Sequence, residues 1–164
     1  MHDLSLYLLD IIENSVRAGA TTIATSIVAD RERDTLTIEV QDDGPGLPVT
    51  AEQVLDPFFT TKQGKKTGLG LSLFRQASED AGGGLSVSRS EKLGGVDVRA
   101  WMRLDDVDRP PLGDVASSIL TMVATNPDVE FVVDVSDGDE RLTLSGSELP
   151  RRLPALVAYQ ETVN

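Results

Sequence analysis

The sequence predicts an α+β fold in which helices cover one side of a largely antiparallel sheet. The first observation is that apolar residues recur at three- and four-residue steps in two segments, which is the helical period. The second is that each such segment is followed by two short runs rich in alternating apolar residues, separated by a turn. The predicted order is therefore helix, hairpin, loop, helix, hairpin.

The first helix is predicted over residues 3–18. One apolar stripe faces the core, formed by Leu4, Leu8, Ile11, Ile12 and Ser15. Gly19 suits the left-handed position that ends such a helix. Strands are then expected at Thr22–Ala29 and Thr35–Gln41, joined by the polar turn Arg31–Asp34.

The second helix is predicted over Thr67–Ala81, after a loop with a short helical turn at residues 51–56. Gly82–Gly84 ends this helix. Strands at Leu85–Ser90 and Val96–Leu104 complete the second hairpin.

The last third of the chain is predicted to be a small α+β extension, residues 115–164. Arg109-Pro110-Pro111 stands in a predicted linker, residues 106–114, because proline-rich segments hold neighbouring parts apart. Residues 1–105 form the main domain in this division. The extension is expected to contain the helix Val115–Ala124, a hairpin of Glu130–Val135 and Arg141–Ser145, and the helix Ser147–Thr162 with Ser147 as its N-cap.

Composition limits the classes of function. The net charge is −12, so a nucleic-acid partner is not expected. There is no cysteine and a single histidine, which argues against thiol chemistry and cysteine- or histidine-rich metal sites. No apolar run is long enough to span a membrane, and the N-terminus lacks the basic region of a signal peptide, so a cytoplasmic protein without membrane insertion is expected.

One stretch departs from this acidity. Between Asp56 and Glu79 there is no acidic residue, although the stretch holds four basic ones, Lys62, Lys65, Lys66 and Arg75. A solvated lysine loop explains such a stretch as well as an anion site does.

The first candidate constellation lies on the opening helix. Asp10, Asn14 and Arg17 are spaced so that they share one face. An amide oxygen can complete a magnesium shell made mostly of water and phosphate oxygens, and a carboxylate one turn away can orient or deprotonate a water. On its own, this face also fits the wet side of an ordinary amphipathic helix.

The second constellation, Asp42-Asp43-Gly44-Pro45-Gly46, directly follows a strand. Glycines allow a backbone to approach a flat ligand closely, and Asp42 can accept a hydrogen bond from an exocyclic amino group. Adenine offers that donor, whereas guanine presents a carbonyl oxygen there. A plain tight turn is the alternative interpretation.

The third constellation, Thr67-Gly68-Leu69-Gly70-Leu71, opens a helix. Free N–H groups at a helix N-terminus bind phosphate oxygens. The basic stretch surrounds this motif, which favours the phosphate interpretation. Neither the dinucleotide fingerprint nor the P-loop pattern is present.

Together and in this order, the motifs resemble the GHKL superfamily of ATP-binding domains, and most closely those of sensor histidine kinases. Residues 10–17 are similar to the N box and residues 42–46 to the G1 box. Asp56-Pro57-Phe58-Phe59-Thr60-Thr61-Lys62 is similar to the F box, and residues 67–71 to the G2 box. Gly94-Gly95 is similar to the terminal motif, with Gly95 in place of the usual threonine. The resemblance covers about residues 1–105 and implies the Bergerat two-layer α/β sandwich.

The resemblance also implies a set of site residues. Asn14 stands at the magnesium-ligand position and Asp42 at the adenine-binding position. Asp10 is a candidate general base, since it stands where gyrase-type ATPases carry a glutamate. Lys62 is a candidate for neutralising charge during transfer. The remaining residues expected around ATP are Arg17, Gly44, Gly46, Phe59, Thr60, Thr61, Lys65, Lys66, Thr67, Gly68, Leu69, Gly70 and Leu71.

These residues predict a protein that binds ATP with Mg²⁺ and passes the γ-phosphate to a separate protein, or slowly to water. No phosphoacceptor helix is recognised, and His2 lies at the terminus, so the acceptor is expected on another protein. The alternative is a non-catalytic module in which ATP or ADP gates the binding of a protein partner.

Overall fold

The computed structural model describes residues 3–46, 53, 55 and 69–164. Within these ranges it confirms the predicted α+β architecture, with four helices against a six-stranded sheet. The helices are α1 Leu4–Arg17, α2 Leu69–Asp80, α3 Val115–Thr125 and α4 Leu149–Val163. The strands are β1 Thr22–Asp30, β2 Thr35–Asp42, β3 Gly84–Arg89, β4 Val96–Arg103, β5 Glu130–Asp137 and β6 Glu140–Ser145.

The strand order across the sheet is β3-β4-β2-β1-β5-β6. Only β1 and β5 pair in parallel, with Thr22 opposite Glu130, and the other four pairs are antiparallel. The sheet therefore continues without a break from the main domain into the predicted extension.

The core lies between the sheet and one layer of helices. Alternate residues of the strands are buried on the helix side, such as Ile23 and Ile27 on β1 and Leu36 and Ile38 on β2. In the helix layer, α1 packs against α2 and α3, and α3 packs against α4. The opposite face of the sheet carries mostly partly exposed residues.

The predicted linker is packed against the rest of the chain rather than acting as a spacer. The N–H groups of Leu4 and Ser5, which have no partner within α1, donate to the carbonyls of Pro111 and Leu112 at 2.9 Å each. Leu112 is fully buried, and the Arg109 guanidinium donates to the Val163 carbonyl at the end of α4. These carbonyls complete α1, so this segment joins the first and last helices.

The expected N-cap at Ser147 is wrong. Helix α4 begins at Leu149, and Glu148 in the capping position makes no capping hydrogen bond. The Glu148 carboxylate instead accepts from the N–H and the hydroxyl of Ser145, and the Ser147 hydroxyl lies 3.0 Å from the Ser145 hydroxyl. Local side-chain bonds within the turn therefore engage the groups that would have capped the helix.

Candidate nucleotide-binding site

The predicted polar face of α1 is present. Asp10, Asn14 and Arg17 are all exposed, while the apolar stripe of the helix is buried. The Asn14 Oδ1 atom accepts a hydrogen bond from Arg17 Nη1 at 3.3 Å. The amide oxygen is thus held at the surface beside a guanidinium, an arrangement that suits a phosphate group and its metal ion.

Asp42 is the buried acid of the site, with 4% of its surface exposed. Its Oδ2 accepts from the Ser15 hydroxyl at 2.7 Å, and its Oδ1 accepts from the backbone N–H groups of Gly44 and Val96, each at 3.0 Å. Burying a carboxylate is costly unless such donors replace water. The carboxylate is therefore held between α1, the glycine loop and the start of β4.

Asp43 has a different role from its neighbour. Its carboxylate accepts from the Thr21 hydroxyl at 2.6 Å and from the N–H groups of Thr21 and Thr22 at 2.8 and 2.9 Å. The Thr21 hydroxyl and these N–H groups hold the pKa of Asp43 below its usual value. Asp43 thus ties the end of β2 to the start of β1 and leaves Asp42 to face inward.

Two glycines close the site around Asp42. A Cβ on Gly95 would overlap with Asp42 Oδ1, so a threonine has no room at this position. Gly46 has φ +86, which favours glycine, and it allows the loop after Asp42 to turn away. This steric limit accounts for the one departure of Gly94-Gly95 from the expected motif.

The N-terminal turn of α2 reaches the polar face of α1. A Cβ added to Gly70 would lie 2.8 Å from Asp10 Oδ2, closer than real Cβ contacts. Farther along the same helix pair, the rings of Tyr7 and Phe74 stack with centroids 4.9 Å apart. The structure therefore brings the first and third motifs into contact, with Leu71 buried beneath them.

A cavity of about 500 Å³ lies between the two glycine segments. Pro45 and Gly46 line it from one side and Gly94 and Gly95 from the other. Arg89, at the end of β3, adds a guanidinium to its wall. Sequence reasoning did not single out Arg89.

Sequence reasoning also missed the role of Ser15, which it assigned to the apolar stripe of α1. A hydroxyl within an apolar stripe is itself a signal, because a buried polar group needs a partner. The partner, Asp42, lies 27 residues away, so only the fold could identify it.

The rest of the predicted site lies outside the described residues. This applies to Phe59, Thr60, Thr61, Lys62, Lys65, Lys66, Thr67 and Gly68, and to the side chain of Leu69. Their assignment to ATP remains a prediction. The structure brings together Asp10 with Gly70, Asn14 with Arg17, and Asp42 with Gly44, whereas Gly46 is placed at the wall of the cavity.

This fold and this arrangement of motifs define a nucleotide-binding domain. The model of the family described as histidine kinase-, DNA gyrase B- and HSP90-like ATPase matches residues 2–106, and the chain belongs to that family. The chain thus carries the ATP-binding domain of a histidine-kinase-like ATPase.

Two sensor kinases are among its relatives. Sensor protein kinase PilS of Pseudomonas aeruginosa is 35% identical over 100 residues, which cover 57% of this chain and 19% of PilS. Sensor histidine kinase CpxA of Escherichia coli is 34% identical over 101 residues, which cover 58% of this chain and 21% of CpxA. The match thus spans about a fifth of the length of these relatives.

Two solved structures are similar to this chain. The catalytic domain of histidine kinase ThkA is 26% identical with a TM-score of 0.46, over 60% of this chain and 65% of that one. The N-terminal domain of a DNA repair protein is 15% identical with a TM-score of 0.51, over 88% of this chain and 53% of that one. The second likeness shows a shared fold and nothing about function.

None of the helices in the described ranges has the length and apolar character needed to span a bilayer.

Proposed function

We propose that this protein binds Mg-ATP with the adenine amino group on Asp42 and the phosphates beside α1 and the start of α2. The observation that carries the proposal is the buried Asp42 carboxylate, which accepts hydrogen bonds from three donors, two of them backbone N–H groups of Gly44 and Val96. Asn14 would supply an amide oxygen to Mg²⁺, and Arg17 lies beside that oxygen. The chemistry of this donor set fits a metal ion held mainly by phosphate and water.

We further propose that the γ-phosphoryl group passes to a side chain of a separate protein or slowly to water. The attacking atom, a side-chain nucleophile of the partner or the oxygen of water, forms a bond to the γ-phosphorus while the bond to the β–γ bridging oxygen breaks, so that ADP leaves. Asp10 is the candidate acceptor of the nucleophile's proton, and the lysines of the basic stretch, Lys62, Lys65 and Lys66, would neutralise charge on the phosphates. Bound Mg²⁺ would neutralise phosphate charge as well. We expect the partner to be a basic protein, since residues 106–164 hold 11 acidic and 4 basic residues. The cytoplasm is the proposed location.

A second candidate function is a module that binds a partner when nucleotide is bound, without turnover. The close approach of Gly70 to the Asp10 carboxylate favours it, because the first turn of α2 then lies against the polar face of α1. A shift of α2 on nucleotide binding would reach α1 through this close packing and change the surface offered to a partner, without activation of a water.

The binding proposal is tested by calorimetry with ATP and with the Asp42→Asn variant. Replacing the carboxylate by an amide places an N–H₂ group near the adenine amino group and near existing donors, so ATP affinity should fall at least about tenfold. Asp43→Asn is the matched control, because it changes the neighbouring carboxylate, which faces Thr21 instead. Unchanged ATP affinity in Asp42→Asn would show that the site assignment is wrong.

The two candidate functions are separated by turnover. If the protein is an enzyme, wild type should release labelled phosphate from γ-labelled ATP in the presence of Mg²⁺. Asp10→Asn should then bind ATP with unchanged affinity and release no phosphate. Tight ATP binding without release, and without transfer to any candidate partner, would favour the gated module. Equal release by wild type and Asp10→Asn would exclude Asp10 as the base.

A further inference from the structure

The hydrogen bond between Ser15 and Asp42 joins two motifs that are separate in the sequence, the polar face of α1 and the glycine loop after β2. Ser15 lies on α1 directly after Asn14, and it is 6% exposed. Its hydroxyl donates to Asp42 Oδ2 at 2.7 Å, within the buried interior. One helix therefore presents an amide at the surface and a hydroxyl to the buried acid.

The other donors to Asp42 come from the backbone and hold only one oxygen. Gly44 and Val96 both donate to Oδ1. An ionised carboxylate has about four lone-pair positions, two on each oxygen. Among the described residues, Ser15 is thus the single donor to Oδ2, and it leaves that oxygen one position for an incoming donor.

We propose that Ser15 is the positioning residue that sets the preference of this site for adenine. The inference rests on the proposed ATP site. The two backbone donors hold Oδ1, and the Ser15 hydroxyl occupies one lone pair of Oδ2, so that the plane of the carboxylate and the direction of the remaining Oδ2 lone pair are both set. A 6-amino group at that place is bound without any rearrangement of the acid. Preorganisation of this kind increases affinity for the group that fits it.

The neighbouring glycine supports this role. Because Gly95 leaves no space for a Cβ against Asp42 Oδ1, a side chain cannot reach the acid from the β4 side. Within the part of the chain that the structure describes, the backbone N–H of Val96 approaches from that side, and the side chain that binds the acid comes from α1.

The experiment compares ATP with purine riboside 5′-triphosphate, which lacks the 6-amino group, by calorimetry. Wild type should prefer ATP on the order of tenfold, as expected for one charge-assisted hydrogen bond. Ser15→Ala should reduce this preference to less than about threefold and leave the affinity for the analogue unchanged. Alanine is a good helix former, so α1 should persist.

Ser78→Ala is the matched control. Ser78 is fully buried and its hydroxyl donates to the Phe74 carbonyl at 2.8 Å, far along α2 from Asp42. This variant removes the same kind of group and should keep the preference for ATP. A purely structural role of Ser15 predicts that both variants lower the thermal midpoint and that neither changes the preference.

Asp42→Asn supplies a second test through a double-mutant cycle. In that background, Ser15→Ala should have no further effect on the ratio of the two affinities. Retained preference in Ser15→Ala, or a further loss in the double variant, would overturn the positioning role while leaving ATP binding intact. Failure of the wild-type protein to bind ATP would overturn the proposed function and this inference with it.

Discussion

Neighbouring aspartates in this protein show how strongly position within a strand decides the role of a residue. Asp42 and Asp43 differ by one step along β2 and its continuation, so their side chains point in opposite directions. The first is buried among donors from three segments, and the second anchors the exposed start of β1. The family resemblance placed Asp42 at the adenine position, and the structure shows that Asp42 is the buried member of the pair.

A third acid, Asp97, lies on the side of the sheet away from the helices. Burial, a hydrogen bond with Glu39 on β2 and the charge of that group together raise the pKa of Asp97 to about 7, against the opposing effect of Arg99. Its Oδ1 atom is buried without a hydrogen-bond partner in the described part of the chain. This carboxyl is therefore better tolerated when it is protonated.

The raised pKa predicts a loss of stability as the pH rises. An unfolded aspartate titrates near pH 4 and the folded one near 7. The folded state thus keeps a proton that the unfolded state releases, and the free energy of unfolding falls across that window. Asp97→Asn should remove this pH dependence. Its free energy of unfolding should exceed that of wild type by about 1 kcal/mol at pH 8, after allowance for solvent screening, and should not exceed it at pH 4. Urea unfolding at pH 4, 6 and 8 measures this free energy for both proteins.

Asp134 provides a control of opposite sign. The Arg141 guanidinium holds the pKa of Asp134 below its usual value, so its stabilising effect is complete above pH 4. The difference in free energy of unfolding between Asp134→Asn and wild type should therefore stay constant from pH 6 to 8. A constant difference for Asp97→Asn over the same range would contradict the explanation given for Asp97.

At the scale of the element, α1 shows what periodicity can and cannot predict. Its stripe of apolar residues gave the correct helix within one residue at each end, and Gly19 has the expected positive φ of +95. The hydrogen-bond partners of this helix were not predictable, because they lie 27 residues or more than 100 residues away in the sequence. Pro111 and Leu112 supply carbonyls to the first turn, and Asp42 supplies the acceptor for Ser15.

Helix α4 shows a different limit of sequence reasoning. Pro154 lies inside α4 at an exposed position, although an interior proline disfavours a continuous helix. A proline interior to a helix loses one hydrogen bond, which packing of the opposite face can offset. Leu156 and Val163 are buried on that face, and the Tyr159 hydroxyl donates to the Ser136 carbonyl at 2.8 Å. Tertiary contacts therefore outweigh the local penalty.

At the scale of the whole molecule, the parallel pairing of β1 with β5 was the main feature that the sequence did not predict. Each hairpin could be recognised from neighbouring residues, since its strands are joined by a short turn. The pairing of Thr22 with Glu130 joins strands more than 100 residues apart, and the packing of α3 against α1 accompanies it on the helix side of the sheet. The chain consequently shares one sheet and one core across the predicted domain boundary.

A shared core predicts that the two parts of the chain unfold together. Trp101 is the single tryptophan and lies on β4, so its fluorescence reports on the main domain, residues 1–105. Far-ultraviolet circular dichroism reports on all the helices. Leu156→Ala removes a fully buried side chain from α4 and should cost about 2–5 kcal/mol, which lowers the thermal midpoint by about 5 °C or more.

The two signals should shift by the same amount, because β5 continues the sheet from β1 and Arg109 ties the β4 end to α4. Arg152→Ala, at an exposed position of the same helix, is the control and should leave both midpoints nearly unchanged. If the Trp101 transition keeps its wild-type midpoint in Leu156→Ala while the dichroism transition shifts or splits, residues 115–164 unfold as a separate unit and the continuous sheet does not make one cooperative core.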